Sequence, residues 1–340
     1  MRAATFLAAI IAAIALAGCA DAPLRTSSPP EVSPAPQEGV VLARDDSFAI
    51  VVAAPGDDLD TLAQRFLGDR SRRWWISEFN NIDDVRPGQT VVIPLKATNP
   101  SGVYANGYLT IPILCYHRFG SRSSQLAVSP AAFEAQMDYL ARNGYQVIPL
   151  SRLTGFLERG EPIPRKSVVL TIDDGYRSTY EVAFPVLRKY GFQATVFLYS
   201  DFVGAPDALT WSQMKEMEAT GLVNIQPHSK THANLTMRLA GETDAKYRDR
   251  LRVEVDTPIR LIQDRLAVPS VSYAFPYGDV NETVVDLLKR QGVRMGVTVT
   301  PGGNGSFAYP FMLRRTMVFG GDGIDVFKSK LATFTQAPAR

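Results

Sequence analysis

From Leu109 to the end of the chain, short apolar runs rich in β-forming residues alternate with segments of helical periodicity. This alternation predicts βα units, which place their strands side by side in a parallel sheet. The predicted strands are residues 111–116, 145–149, 167–172, 194–199, 222–226, 271–275, 295–299 and 313–318. So many units favour an α/β fold closed as a parallel barrel, in which ligands collect at the carboxyl ends of the strands.

Helix-start signals between these runs support the same interpretation. Ser129 is a candidate N-cap with Pro130 in the first turn, and Thr210 with Gln213 has the spacing of a capping box. A further helix is predicted over Glu282–Arg290. The residues expected to be buried by the first and last of these helices are Phe133, Met137, Leu140, Val284, Val285 and Leu288.

The predicted strand 167–172 runs into Thr171-Ile-Asp-Asp-Gly175. Two adjacent carboxylates after a buried apolar strand are costly unless both are used. Neighbouring side chains diverge, so one carboxylate can ligate a metal while the other faces the reacting water. Considered alone, either residue could instead cap a helix.

The predicted strand 222–226 is followed by Pro227-His-Ser-Lys-Thr-His232. His228 and His232, at positions i and i+4, are expected on one side of a helical turn, where both can ligate one ion. Two unrelated surface histidines are the alternative, which loses weight because the chain has only three histidines. Two imidazoles and one carboxylate leave an open position for water, as a catalytic zinc site requires.

A third strand end reads Tyr273-Ala-Phe-Pro-Tyr-Gly278. Pro276 fixes its own backbone angle, so the N–H of Tyr277 can be aimed. A backbone N–H held there can stabilise an oxyanion. Without the other two motifs, this segment would pass for an ordinary turn.

Together, in this order and spacing, the three motifs resemble the NodB-homology polysaccharide deacetylases of carbohydrate esterase family 4, over about residues 109–320. The resemblance implies a distorted (β/α) barrel of the NodB-homology type. It also implies removal of acetyl groups from N-acetylglucosamine units of a polysaccharide, with a divalent metal that is most often Zn²⁺.

The resemblance also assigns roles to individual residues. Asp173 becomes the general base, and Tyr277 provides the oxyanion N–H and a substrate contact. Thr231 is expected to brace the histidine loop by hydrogen bonding. The implied metal ligands are Asp174, His228 and His232.

Ala274 departs from the family pattern, because many members carry an arginine there that orients the catalytic aspartate. The segment is similar to the branch that contains biofilm poly-N-acetylglucosamine deacetylases, in which a late strand reads Leu-x-Arg-Ile. The corresponding residues here are Leu313-Arg-Arg-Thr316. We therefore expect Arg315 to replace the missing arginine.

No histidine follows His232, although many family members protonate the leaving amine with a late histidine. The remaining histidine is His117, at the end of the first predicted barrel strand, and the same Tyr-His pair occurs in the biofilm branch. His117 is a candidate for protonating the amine or binding substrate, or is a structural residue. Trp211, at a helix start resembling the family's Thr-Trp pattern, is expected either to line the sugar cleft or to pack.

Residues 46–95 predict a small strand–helix–helix–strand unit that resembles a LysM domain. Its predicted parts are a strand at 48–52, a helix from Leu59 to about Leu67 capped by Asp58, a helix at 74–79 and a strand at 90–93. The resemblance implies a βααβ domain that binds N-acetylglucosamine-containing glycans such as peptidoglycan. A small structural domain without ligand is the alternative.

The amino terminus predicts export. An apolar run of twelve residues, 6–17, is too short to span a bilayer, and it ends in Leu16-Ala-Gly-Cys19, which resembles a bacterial lipobox. That resemblance implies lipid on Cys19 and an envelope location, with the outer membrane facing the periplasm favoured; simple export is the alternative. The predicted organisation is signal 1–18, lipidated cysteine and Pro-rich linker 19–45, LysM-like unit 46–95, linker 96–108 and deacetylase domain 109–335.

The composition limits the other function classes. A net charge of +2 without a basic block gives no indication of nucleic-acid binding. Cys115, the second of two cysteines, is predicted to be a buried strand residue. The favoured function is deacetylation of an exported polysaccharide. Peptidoglycan deacetylation and non-catalytic glycan binding remain as alternatives.

Overall fold

The computed structural model describes residues 39–120 and 124–337. The predicted signal, Cys19 and residues 20–38 of the predicted linker lie outside the described residues. Within the described ranges, no helix is both long and apolar enough to cross a bilayer.

The small N-terminal unit is a three-stranded antiparallel sheet with two helices. Its elements are β1 (Val40–Arg44), β2 (Phe48–Val52), α1 (Leu59–Leu67), α2 (Arg73–Asn80) and β3 (Thr90–Pro94). The β2–α1–α2–β3 order matches the predicted βααβ order, and Asp58 caps α1 in a capping box. The charged segment between the helices forms a short 3₁₀ turn at Arg70–Arg72.

Strand β1 lies in the segment that the sequence predicted to be a linker. It pairs antiparallel with β2, and all five of its residues are exposed. Strand β1 is therefore held by backbone hydrogen bonds at the edge of the sheet, and not by buried side chains. Because strand prediction depends on an alternating pattern of apolar residues, the sequence of β1 gives no signal.

The remaining strands are β4 (Val103–Tyr104), β5 (Gly107–Leu109), β6 (Ile111–Tyr116), β7 (Arg118–Phe119), β8 (Ala127–Val128), β9 (Gln146–Val147), β10 (Ser167–Asp174), β11 (Ala194–Leu198), β12 (Val223–Pro227), β13 (Ser272–Ala274), β14 (Met295–Val297), β15 (Gly303–Asn304), β16 (Thr316–Met317) and β17 (Phe334–Gln336). The helices are α3 (Pro130–Arg142), α4 (Arg152–Arg159), α5 (Phe184–Tyr190), α6 (Trp211–Ala219), α7 (Asp244–Leu266), α8 (Glu282–Arg290) and α9 (Ile324–Ser329).

The centre of the large unit is a parallel sheet in the order β12–β11–β10–β6. Strand β16 adds to β6 and β9 adds to β10, both in parallel. All eight residues of β10 are buried, as expected for a strand covered on both faces. The alternation of strands and helices confirms the predicted α/β class.

The predicted barrel is not one continuous ladder of backbone hydrogen bonds. Strands β13 and β14 form a separate parallel pair, linked onward by a single bridge from Val297 to Leu313. Between β12 and β13 the side chain of Gln226 takes the place of strand pairing, because its Oε1 accepts the N–H groups of Val271 and Ser272, both at 2.9 Å. The last three predicted strands are correspondingly shorter than expected.

The predicted helix signals are confirmed. Ser129 caps α3, and Thr210 with Gln213 forms a capping box on α6. The predicted apolar faces of α3 and α8 are buried. The 23-residue helix α7 was not individually predicted, because its many charges obscure an apolar stripe that includes Tyr247, Leu251 and Val255.

Candidate active site

The predicted site residues converge on the carboxyl edge of the parallel sheet. Asp173 and Asp174 end β10, and His228 directly follows β12. Arg315 directly precedes β16, and Tyr277 lies in the tight turn after β13. Carboxyl ends of parallel strands meet at one edge, so residues distant in sequence face a common cleft.

Asp174, His228 and His232 form a compact group. The Oδ1 atom of Asp174 lies 3.8 Å from Nε2 of His228 and 3.4 Å from Nε2 of His232. The three potential ligand atoms all lie within 4.8 Å of one another. The Asp174 Oδ1 atom is buried and has no hydrogen-bond partner among the described residues. A buried carboxylate oxygen facing two imidazole nitrogens fits a divalent metal such as zinc.

The orientation of His228 is fixed by its other ring nitrogen. Nδ1 lies 2.7 Å from the carbonyl oxygen of Ala274, so Nδ1–H donates and Nε2 keeps its lone pair for a ligand. Burial lowers the pKa of His228 to about 4, which leaves the ring neutral near pH 7. Burial also lowers the pKa of His232. Both rings are therefore in the form that binds a metal.

The segment from His228 to His232 is an irregular loop, so the predicted helical turn is wrong. Ser229 and His232 have left-handed backbones, with φ of 93° and 63°. The Ser229 hydroxyl accepts the N–H of His232 at 2.8 Å, which closes the loop on itself. The reversal of the chain, and not helical periodicity, brings the two rings to 4.8 Å between centroids.

Glu254 of α7 supports this loop from behind, and the sequence analysis missed it. The buried carboxylate accepts the N–H groups of Lys230 at 3.1 Å and Thr231 at 2.9 Å. It also accepts the Thr231 hydroxyl at 2.7 Å, which is the bracing hydrogen bond expected of Thr231. A glutamate within a charge-rich helix carries no local signal for this contact.

Asp173 lies between the histidine pair and Arg315: its Oδ2 atom is 3.9 Å from Nε2 of His228, and its carboxylate is paired with the Arg315 guanidinium. The guanidinium donates to both carboxylate oxygens at 2.7 Å, and both side chains are buried. Its Nε–H donates to Thr298 O at 2.8 Å, and a second N–H of Nη1 donates to Thr171 Oγ1 at 3.1 Å. Burial opposes ionisation of Asp173, but the charge and hydrogen bonds of Arg315, together with the neighbouring His228 and His117, outweigh it and hold the pKa of Asp173 well below its usual range.

The adjacent carboxyl group behaves in the opposite way. Burial, together with the negative charge of Asp173, raises the pKa of Asp174 to about 6. Two neighbouring aspartates with pKa values pushed apart are typical of a site in which each has its own role. A bound divalent cation would hold Asp174 in its ionised form.

Left-handed backbone conformations concentrate at this edge of the sheet. Asp174, Ser229, His232 and Tyr277 are four of the six non-glycine residues with positive φ in the described ranges. The other two end helices α2 and α7. Such conformations cost roughly 1–2 kcal/mol each and persist where surrounding contacts impose them. The site is therefore held in a shape that the local backbone does not favour.

Tyr277 lies in a turn that the neighbouring residues force. A Cβ atom on Gly278, where φ is 81°, would come within 2.6 Å of the Val299 side chain, so only glycine fits there. The Tyr277 ring is 60% exposed and lies 4.8 Å from the ring of His232. The ring of Tyr199 flanks His232 at 5.3 Å. Aromatic side chains thus line the open side of the candidate metal ligands.

The two remaining predicted site residues, His117 and Trp211, have different surroundings in the structure. His117, half buried at the end of β6, faces the aspartate pair, and its ligand atom lies within 4.8 Å of an Asp173 carboxylate oxygen. Trp211, the first residue of α6, packs half buried against the core cluster that includes Leu209 and Met214. This position supports the packing interpretation of Trp211.

Comparison with known proteins gives a family match over the part of the chain that carries Asp173, Asp174, His228, His232 and Tyr277. Residues 160–296 match the sequence family described as polysaccharide deacetylase. The Bacillus subtilis protein YxkH is 34% identical over 192 residues, covering 56% of this chain and 65% of that protein. The poly-beta-1,6-N-acetyl-D-glucosamine N-deacetylase of Escherichia coli K12 is 27% identical over 211 residues, covering 52% of this chain and 31% of that enzyme.

Among solved structures, the deacetylase PplD of Streptococcus pyogenes, in complex with acetate, superposes with a TM-score of 0.60 at 25% identity. The superposition covers 66% of this chain and 99% of that one. The chain thus spans less than two thirds of the length of both curated relatives, and nearly all of this solved domain.

Proposed function

We propose that this chain, whose residues 160–296 match the polysaccharide deacetylase family, is a metal-dependent hydrolase. In this proposal it removes N-acetyl groups from an N-acetylglucosamine-containing polysaccharide of the cell envelope. The observation that carries the proposal is the unpartnered Asp174 Oδ1 facing two imidazole nitrogens, beside an Asp173 held ionised by Arg315. We also propose that the strands of the large unit form a distorted barrel around this site.

The proposed metal ligands are Asp174, His228 and His232, and zinc fits their donor set. A divalent ion there would supply Lewis acidity, lowering the pKa of a water molecule and polarising the acetamide carbonyl. Glu254 and the Ala274 carbonyl keep the histidines oriented through the loop and through Nδ1. Loss of such a supporting contact typically weakens metal binding by about 10–100-fold.

Asp173 is the proposed general base. Its carboxylate is ionised and pinned by Arg315, so it can accept the proton of the attacking water without moving. The N–H of Tyr277 is proposed to donate to the oxyanion, since its turn is fixed in a strained form. His117 is proposed to return a proton to the leaving amine. The products are acetate and a free amine on the sugar.

The substrate proposal draws on the relatives and on the small unit. One relative is named for poly-β-1,6-N-acetylglucosamine, which favours an exported polysaccharide of this kind. The βααβ unit at 46–95 is proposed to be a LysM domain that binds peptidoglycan, and Cys19 to carry lipid. Peptidoglycan itself is the alternative substrate, favoured only by that small unit.

Acetate release distinguishes these proposals. Purified protein with one equivalent of Zn²⁺ is incubated separately with poly-β-1,6-N-acetylglucosamine and with acetylated peptidoglycan. Release from the first polymer at a clearly higher kcat/KM supports the favoured substrate, and the reverse order supports the alternative. Metal-loaded protein that releases no acetate from either polymer contradicts the proposed activity.

A further inference from the structure

A second group of metal-binding side chains lies beside the first, on two adjacent strands. Cys115 and His117 are two residues apart on β6 and its carboxyl end, so they face the same side of the sheet. Strands β6 and β10 are parallel, with Cys115 opposite Thr171 and Tyr116 opposite Ile172. The next position in this register places His117 beside Asp173.

The potential ligand atoms of Cys115, His117 and Asp173 lie within 4.8 Å of one another. The Cys115 Sγ atom is 3.5 Å from Oδ2 of Asp173. Ligand atoms around a tetrahedral zinc, at bond lengths of ~2.0–2.3 Å, are separated by roughly 3.3–3.7 Å. The group is therefore close to the size that a zinc ion needs.

His117 provides an independent sign of a missing partner. Its Nδ1 atom is buried and has no hydrogen-bond partner among the described residues. Buried polar atoms are almost always paired in proteins, so an unpaired ring nitrogen on a histidine that lies beside a thiol and a carboxylate needs an explanation. Thiolate, imidazole and carboxylate are together a donor set suited to zinc.

We propose that Cys115, His117 and Asp173 form a second zinc site, and that its occupation inhibits the enzyme. The inhibitory part rests on the proposed function, because Asp173 is the proposed base and His117 the proposed acid. An ion bound to both would remove the proton acceptor and the proton donor together. The second site would thus make activity fall when zinc exceeds one equivalent.

Two features make this site weaker than the one at Asp174. The Arg315 guanidinium already donates to both oxygens of Asp173, and its positive charge opposes a nearby cation. The Cys115 thiol also donates a hydrogen bond to Oδ2 of Asp173 at 3.5 Å, so zinc must displace that proton to bind. The site is therefore expected to fill only after the Asp174, His228 and His232 group.

Cobalt substitution tests the site without reference to activity. Metal-free full-length protein is titrated with Co²⁺, and the near-ultraviolet thiolate-to-cobalt charge-transfer band is followed. The first equivalent should give no such band, and the second should produce it. Cys115→Ser should lose the band, whereas Cys19→Ser, which removes the other cysteine, should retain it. Thermal unfolding confirms that each variant is folded.

A thiolate band that stays absent above one equivalent, or that persists in Cys115→Ser, overturns the second site. Asp174→Asn supplies a further arm, since emptying the first site should leave the Cys115 band in place. This arm decides the inference even if the protein releases no acetate under any condition. Failure of the proposed activity and failure of the second site are thereby separated.

Acetate release tests the inhibition. Each protein's rate with excess Zn²⁺ is divided by its own rate with one equivalent. General acid–base groups contribute about 10²–10⁴-fold, so the native ratio should fall by roughly tenfold or more. The ratio for Cys115→Ser should stay near one. Full native activity with two zinc ions bound overturns the inhibitory role.

Discussion

Arg315 and Asp173 form a buried bidentate ion pair, with both guanidinium-to-carboxylate distances at 2.7 Å. Neither residue belongs to the Asp174, His228 and His232 group, yet the pair determines the charge beside those candidate metal ligands. Breaking a buried pair by removing one partner typically costs about 3–5 kcal/mol, because a charge is left uncompensated.

We expect Arg315→Ala to shift the activity profile toward higher pH. Without the guanidinium, burial raises the pKa of Asp173, so the base becomes protonated, and inactive, at a higher pH than in the native protein. The acid limb of the native profile is expected at low pH because Arg315 keeps the pKa of Asp173 depressed. The measurement is kcat/KM for acetate release against pH. Arg314→Ala is the matched control, since Arg314 is exposed. A native rate and pH profile in Arg315→Ala would show that Arg315 does not serve the base.

The same variant should also be less stable above the range where the Asp173 carboxyl normally titrates. A depressed pKa contributes stability that is present above the unfolded-state pKa and lost as the pH falls through the folded-state pKa. The difference in free energy of unfolding between native protein and Arg315→Ala should therefore shrink in acid. Urea unfolding at several pH values measures it, and a pH-independent difference would contradict the ion-pair explanation.

The two adjacent aspartates are controls for each other. Asp174→Asn should lose bound metal and activity together, because it removes a ligand. Asp173→Asn should keep the metal while activity falls by about 10²–10⁴-fold, as expected for loss of a general base. Metal content by atomic emission and acetate release are measured on the same samples. Equal loss of metal from both variants would mean that Asp173 is itself a required ligand.

Glu254 is predicted to control metal affinity through the histidine loop. Glu254→Ala removes the acceptor of three hydrogen bonds from Lys230 and Thr231. Loss of such a support typically weakens metal binding by about 10–100-fold. Zinc affinity is measured by competition with a chromophoric chelator, and Asp249→Asn, exposed on the same helix, is the control. Native zinc affinity in Glu254→Ala would remove Glu254 from the site.

His117 is predicted to act in turnover. His117→Asn should lower kcat by about 10²–10⁴-fold if it protonates the amine, while the first equivalent of zinc remains bound. A larger effect on KM than on kcat would instead indicate substrate binding. An unaltered catalytic rate would leave His117 as a structural residue at the end of β6.

The sequence located residues that follow parallel strands, because all such strand ends meet at one edge. Asp173, Asp174 and His228 were predictable for this reason, and Arg315 through the family resemblance. Glu254 was not predictable, since it reaches the loop from a helix and belongs to no motif.

The conformation of the His228–His232 loop was predicted wrongly because i and i+4 spacing fits a helical turn as well as a chain reversal with positive φ. Strand β1 was missed because pairing at a sheet edge needs no buried side chain.

The Gln226 side chain, which links β12 to β13, affects how the cleft can open. The side-chain amide of Gln226 joins β12 to β13, which are not paired by backbone hydrogen bonds in the described residues. We call this boundary between β12 and β13 the seam. The candidate histidine ligands follow β12 and the Tyr277 turn follows β13, so they lie on opposite sides of the seam. Separating the seam breaks side-chain contacts, whereas separating β10 from β11 breaks a ladder of four paired positions. Opening of the cleft along this line would therefore break fewer backbone hydrogen bonds than opening between β10 and β11, but it would also break the contact from His228 Nδ1 to the Ala274 carbonyl, which orients one of the candidate metal ligands.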